Sequence, residues 1–341
     1  MGRMPRRERT LADLGESALI RRIARRAGHP SQKRWPRTIG DDAAILRPRS
    51  GEDLVLSTDA QVEGVHFLFA RESPRTIGRR ALAVNLSDLA AMGARPVGAL
   101  LSLCAPPETK MSVFDGLLAG FVDESRRFDC PLVGGNLSRA ENCSLTVTVV
   151  GRVKRGRALS RRGLRAGDRL FVTGELGGAA LARMRADRRG GWLRRVPEPR
   201  IEAGLALARS GQAHACIDLS DGLASDLRHL LEDDVAAGAG SDGALGGAAR
   251  KGAIGAEIDF EQIPTPRGFR RECLELGLDP AALLVGGGED YELLFGLPAR
   301  CSIANPLLLS RRFGVRVHEI GRVVRGAGIR GLPEISGGHH F

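Results

Sequence analysis

The stretch Ser73-Pro74-Arg75-Thr76-Ile77-Gly78-Arg79-Arg80-Ala81-Leu82-Ala83-Val84-Asn85-Leu86-Ser87-Asp88-Leu89-Ala90-Ala91-Met92 decides the fold class. A serine ahead of a proline is helix-start chemistry: a capping hydroxyl, then a residue with no N–H to satisfy and a backbone angle already suited to a helix. The run continues to Met92, where Gly93 and Pro96 stop it. Segments rich in β-formers flank it, Asp53-Leu54-Val55-Leu56-Ser57 before and Ser144-Leu145-Thr146-Val147-Thr148-Val149-Val150 after. Between the helix and the later segment, Val113 to about Arg127 sets Val113, Leu117, Leu118, Phe121 and Val122 on one helical face. Strands alternating with helices predict an α/β or α+β domain.

Residues 1–35 read as a basic tail and then a helix after Gly15, with Leu19, Ile20, Ile23 and Ala27 at helical spacing. Residues 36–155 form the expected N-terminal domain. The polar, basic stretch from Gly151 to Arg169 marks the crossing to a C-terminal domain, 156–341, which restarts with a strand at Leu170-Phe171-Val172-Thr173 and a helix after Gly177-Gly178. Residues 233–252 are low in complexity and read as a flexible insertion. The G-x-G-x-x-G spacing of Gly238, Gly240 and Gly243 inside it has no preceding strand and no periodic helix after it, so it carries no dinucleotide reading.

At 341 residues and 43% hydrophobic, the chain can bury a sizeable core in two domains of about 150 residues each. No apolar run approaches the roughly 18 residues of a membrane span, and the N-terminus lacks the apolar core of a secretory signal, so a cytoplasmic protein is expected. Cys104, Cys130, Cys143, Cys216, Cys273 and Cys301 contain no C-x-x-C pair and read as reduced thiols. The net charge of +11 is carried almost wholly by arginine in scattered doublets, and only 2 Trp, 1 Tyr and 11 Phe are available for base stacking. A nucleic-acid partner is therefore not expected.

The chemistry sits in carboxylates beside small residues: Gly40-Asp41-Asp42-Ala43-Ala44, Ser57-Thr58-Asp59, Asn85-Leu86-Ser87-Asp88, Asp218-Leu219-Ser220-Asp221-Gly222 and Gly286-Gly287-Gly288-Glu289-Asp290. Each reads as a turn at the end of an element. Taken singly, Asp88 and Asp221 read as N-caps before they read as ligands, and Asp41-Asp42 reads as a turn and as a ligand pair alike. Taken together, carboxylates and hydroxyls form a hard oxygen set that suits magnesium, an ion usually shared with substrate phosphates. Gly134-Gly135 and the triple glycine allow backbone N–H groups to approach phosphate oxygens. No Gly-Lys pair occurs, so there is no Walker A loop, and the H-R-D and D-F-G signatures are missing.

These five motifs, in this order, resemble thiamine-monophosphate kinase, and the resemblance runs from about Leu14 to about Val324. It implies a two-domain α/β (α+β) aminoimidazole ribonucleotide synthetase-like fold, a homodimer, and transfer of the γ-phosphoryl of ATP to thiamine monophosphate with several magnesium ions. Carried over residue by residue, it makes Asp42, Ser57, Thr58, Asp59, Asp88, Asn136, Asp218 and Asp221 the metal ligands. The Gly135-Asn136 turn, Arg161 and Ser220 would hold ATP, and His66 and Glu289 would face the thiamine substrate. No covalent or general-base residue is assigned. Asn136 stands where the family usually carries an aspartate, and Gly338 where it carries an aromatic residue before the terminal His-Phe. The alternative is another ATP-dependent synthetase or ligase of the same superfamily acting on an amide or amidine-type substrate.

Overall fold

The computed structural model describes residues 8–39, 43–231 and 253–333. Asp42 with its neighbours Gly40 and Asp41, the 233–252 insertion and Gly338 lie outside the described residues. Backbone contacts divide the chain into two units: Met1–Leu89, Ala94–Gly156 and Arg189–Pro199 in the first, and Ala90–Gly93, Arg157–Arg188 and Arg200–Phe341 in the second.

The first unit contains α1 (Leu11–Leu14), α2 (Glu16–Ala27), β1 (Glu52–Val62), α3 (Pro74–Ala91, whose last residues join the second unit), β2 (Arg95–Ala105), α4 (Met111–Arg127), β3 (Leu132–Arg139) and β4 (Ser144–Lys154). Its sheet has the order β1-β4-β2-β3, with β2 and β3 parallel and the other pairs antiparallel. The helix start reads as expected: the Ser73 hydroxyl accepts from the Thr76 N–H at 3.1 Å. Along β4, Leu145, Val147 and Val149 are buried, and the alternate residues are only partly so. This is the period-two signature of a sheet with one covered face. Burying each such side chain stabilises by about 1.5–3 kcal/mol. The other face leaves Leu54 and Leu56 exposed, Leu56 at 65%.

The second unit contains β5 (Arg169–Thr173), α5 (Gly178–Arg189), α6 (Ile201–Ser210), β6 (Ala215–Asp218), α7 (Leu223–Leu231), β7 (Ile254–Ile258), α8 (Phe269–Glu275), α9 (Pro280–Gly286), β8 (Leu293–Leu297), α10 (Pro306–Phe313), β9 (Val317–Arg325) and β10 (Gly328–Arg330). Its sheet has the order β10-β7-β9-β5-β8-β6, antiparallel except for β10 with β7. Every residue of β8 is buried, which explains why Leu293-Leu294-Phe295-Gly296-Leu297 shows no polar alternation. Phe295 stacks on Phe171 at 5.6 Å and meets Phe313 edge-on at 6.0 Å.

The turn reading of the acidic motifs is corrected at three places. Ser57-Thr58-Asp59 lies within β1, because pairing with β4 continues unbroken to Val62 opposite Ser144. Asn85 to Asp88 lie inside α3, where the helix read from Ser73 to Met92 places them, and the competing cap reading of Asp88 falls. Gly134-Gly135-Asn136 lies within β3, paired to β2.

Candidate active site

In the first unit, strand and helix together bring two of the expected residues into contact. Ser57 on β1 donates its hydroxyl hydrogen to Asp88 on α3. Four residues further along β1, on the same strand face, Gln61 accepts from Arg80 Nε at 3.3 Å, and Arg80 stands about two helical turns before Asp88 on α3. Asp59 falls between Ser57 and Gln61, exposed, with Oδ1 accepting from the Ala60 N–H at 2.7 Å. Thr58 is turned away from this group: its hydroxyl donates to the Val147 carbonyl at 3.1 Å and accepts from Thr148 at 3.1 Å. Period-two alternation thus keeps the Thr58 side chain off the face that Ser57 and Asp59 share.

Gly135 and Asn136 sit on β3, at the opposite edge of the sheet from β1. The register runs Asp59 to Val147 to Leu101 to Gly135, three strand spacings or about 14 Å along the sheet. The glycine has a structural cause here, since a Cβ at Gly135 would stand 1.9 Å from the Leu101 carbonyl oxygen. His66 follows β1 in a short turn, exposed, and its Nδ1 accepts from the Val62 N–H at 3.1 Å. That bond leaves the ring proton on Nε2. Arg80, 7% exposed, holds the same turn by donating to the His66 carbonyl at 3.0 Å and by pairing with the buried Glu72. Sequence reading missed Arg80, which directly follows Arg79 in the same helix and has no spacing that sets it apart.

In the second unit, Asp218 ends β6 at 3% exposure, and Ser220 and Asp221 form the turn into α7. The turn is tied from within by Asp226, whose Oδ2 accepts from the Asp221 and Gly222 N–H groups at 3.1 and 3.2 Å. Burial, with the charges of Asp221 and Asp218 behind it, pushes the Asp226 carboxyl up to about 7. Asp226 also escaped the sequence reading, although it lies one helical period beyond Gly222.

The Gly286 to Tyr291 loop lies against this turn. The Glu289 N–H donates to the Ser220 carbonyl and the Tyr291 N–H to the Leu219 carbonyl, each at 2.8 Å. Gly288 is required by that approach, because a Cβ there would stand 2.3 Å from the Ser220 oxygen. Glu289 and Tyr291 both adopt left-handed backbone, at φ 69° and 54°. Such residues cost of order 1–3 kcal/mol each and persist only where their surroundings impose them. The Glu289 carboxylate lies 3.3 Å from Arg183 Nη1 on α5. Arg161 is exposed, next to Ser160, whose carbonyl accepts from Cys216 on β6 at 2.8 Å.

The structure therefore groups Ser57, Asp59 and Asp88 in one unit, and Asp218, Ser220, Asp221 and Glu289 in the other. Among the described residues, no three His, Cys, Asp or Glu side chains gather closely enough to hold a metal ion by themselves.

The family described as AIR synthase related protein, N-terminal domain, matches residues 40–153. A thiamine-monophosphate kinase of Synechococcus elongatus is 36% identical over 85% of this chain and 84% of its own length. The chain belongs to the thiamine-monophosphate kinase family. A crystal structure of that family's protein from Stenotrophomonas maltophilia K279a is 34% identical with a TM-score of 0.76, covering 93% of this chain and 97% of that one. AaThiL complexed with AMPPCP and TMP is 29% identical with a TM-score of 0.66, covering 94% of both chains. The family is one of enzymes, and its mixed helix-and-sheet architecture is the synthetase-like fold that the motifs imply.

Proposed function

We propose that this chain transfers the terminal phosphoryl group of ATP to the phosphate of thiamine monophosphate by direct in-line displacement, yielding thiamine diphosphate and ADP. The observation that carries the reading is a relative of matching length, AaThiL, solved with AMPPCP and TMP together. The acceptor is already an anion, so no strong base is needed, and the obstacle is repulsion between two polyanions.

Ser57, Asp59 and Asp88 in the first unit, and Asp218 and Asp221 in the second, are the hard oxygen donors that fit magnesium. This ion keeps several waters and does not need three clustered protein carboxylates. Bound there, magnesium supplies charge neutralisation on the phosphates. The His66 Nε2–H faces outward as a donor for an anionic oxygen, and Glu289 faces the thiamine moiety. Ser220 and Arg161 hold the nucleotide, with the exposed Asn136 amide and the Gly135 backbone as further polar contacts.

The open sheet face with Leu54 and Leu56 supports a homodimer, and a chain that scatters light as a monomer at micromolar concentration overturns it. Among the described residues, no helix is long and apolar enough to cross a membrane. All six cysteines are free, which supports a reducing, cytoplasmic setting. Fractionation that finds the protein in an oxidising compartment overturns that setting. The reaction is tested by incubating the protein with ATP, magnesium and thiamine monophosphate and resolving the products by chromatography. Thiamine diphosphate and ADP in equal amounts are expected. ATP turnover only with an amine or amidine-type acceptor overturns the proposal.

A further inference from the structure

We infer that Asp290 and Arg183 are positioning residues that together set where the Glu289 carboxylate stands, an inference that rests on the reading of Glu289 as facing the thiamine substrate. The loop before it carries Gly286, Gly287 and Gly288, residues that adopt left-handed backbone freely, yet the two left-handed positions are filled by glutamate and tyrosine. Strain kept where glycine was so near at hand marks a place where a side chain is wanted.

Asp290, between the two strained residues, is what imposes them. It is 5% exposed, and its two carboxylate oxygens accept from Gly177 N–H at 2.5 Å and Ala179 N–H at 3.0 Å. Gly177 stands just before α5 and Ala179 in its first turn, so a residue more than a hundred positions away in sequence caps that helix, with its charge against the positive end of the dipole. Pinned on this side by Asp290 and on the other by the Ser220 and Leu219 carbonyls, the backbone at Glu289 and Tyr291 has no room to relax.

The same helix fixes the side chain. Arg183, one turn further along α5, pairs with the Glu289 carboxylate at 3.3 Å. Helix α5 thus holds Glu289 twice, through its main chain by way of Asp290 and through its carboxylate by way of Arg183. Sliding or rotating α5 would move the carboxylate with it.

Steady-state kinetics on the full chain test this, with KM measured separately for thiamine monophosphate and for ATP. Asp290→Ala is expected to raise the thiamine monophosphate KM about tenfold and leave the ATP KM within about twofold. In a Glu289→Gln background the same substitution should add less than about twofold, because its effect runs through Glu289. Should Asp290→Ala not fold, Arg183→Met carries the test: a rise of about threefold in the same KM, at an unchanged thermal midpoint, largely restored in Arg183→Lys. Equal rises in both KM values, or full additivity with Glu289→Gln, overturn the inference. If Glu289→Gln alone leaves thiamine monophosphate kinetics unchanged, the substrate reading of Glu289 falls and takes the inference with it. If Glu289→Gln raises that KM while the Asp290 and Arg183 variants do not, only the inference falls.

Discussion

The four-stranded sheet leaves Leu54 and Leu56 exposed on one face, whereas the six-stranded sheet buries every residue of β8 against side chains on both. The carboxylates follow the same contrast. In the first unit Asp59 and Asp88 ride on a long strand and a long helix, so the backbone ladder alone sets their positions. In the second, Asp221 and Glu289 ride on turns held by Asp226, which accepts from the Asp221 and Gly222 N–H groups just before it in sequence, and by Asp290 and Glu292, whose partners Gly177 and Arg200 come from distant parts of the sequence. Function and stability should separate easily in the first unit and with difficulty in the second.

The largest effect is expected at Asp59. Asp59→Asn should lower turnover by roughly two orders of magnitude or more while changing stability by less than about 0.5 kcal/mol, since the side chain is exposed on a fully paired strand. Retention of most of the activity would remove the residue from the metal shell.

A stability comparison breaks or sharpens the contrast next. Arg200 makes a two-pronged pair with Glu292, which is 4% exposed and also accepts from Thr173 at 2.7 Å. Arg200→Met strands that carboxylate and should cost about 3 kcal/mol in urea unfolding. Arg22→Met, which breaks the half-buried pair with Asp115 in the first unit, should cost about 1 kcal/mol. Equal losses would mean that the second unit is not held by its clamp.

The smallest effect is expected at Asn136. Restoring the carboxylate with Asn136→Asp should tighten apparent magnesium affinity by about threefold, a single charge acting in a solvated place. Activity titrations with magnesium that superimpose on those of the unaltered chain would put the position outside the metal's reach.

Much of the fold was legible in the sequence because its signals are local. The Ser73-Pro74 start, the helical face from Val113, the helix after Gly15 and the strand at Leu170 all appear where read, as α3, α4, α2 and β5. What misled was equally local: small and acidic residues in Ser57-Thr58-Asp59 and Gly134-Gly135-Asn136 look like turns. They are strands because partners about 35 to 90 residues away complete the ladder. Glu289 was legible as a residue of interest, but its supports were not. Asp290, Arg183, Asp226 and Arg80 act through partners that only tertiary structure supplies, and a sequence offers no spacing from which to pair Asp290 with Gly177.

The path of the chain has a consequence of its own. Residues 90–93 visit the second unit before 94–156 return to the first, and 189–199 come back again before the remainder stays in the second. No one break, whether from a protease, a frameshift or a chosen fusion point, separates the halves cleanly, because segments of each interrupt the other. The two halves must be inherited and degraded as a single object.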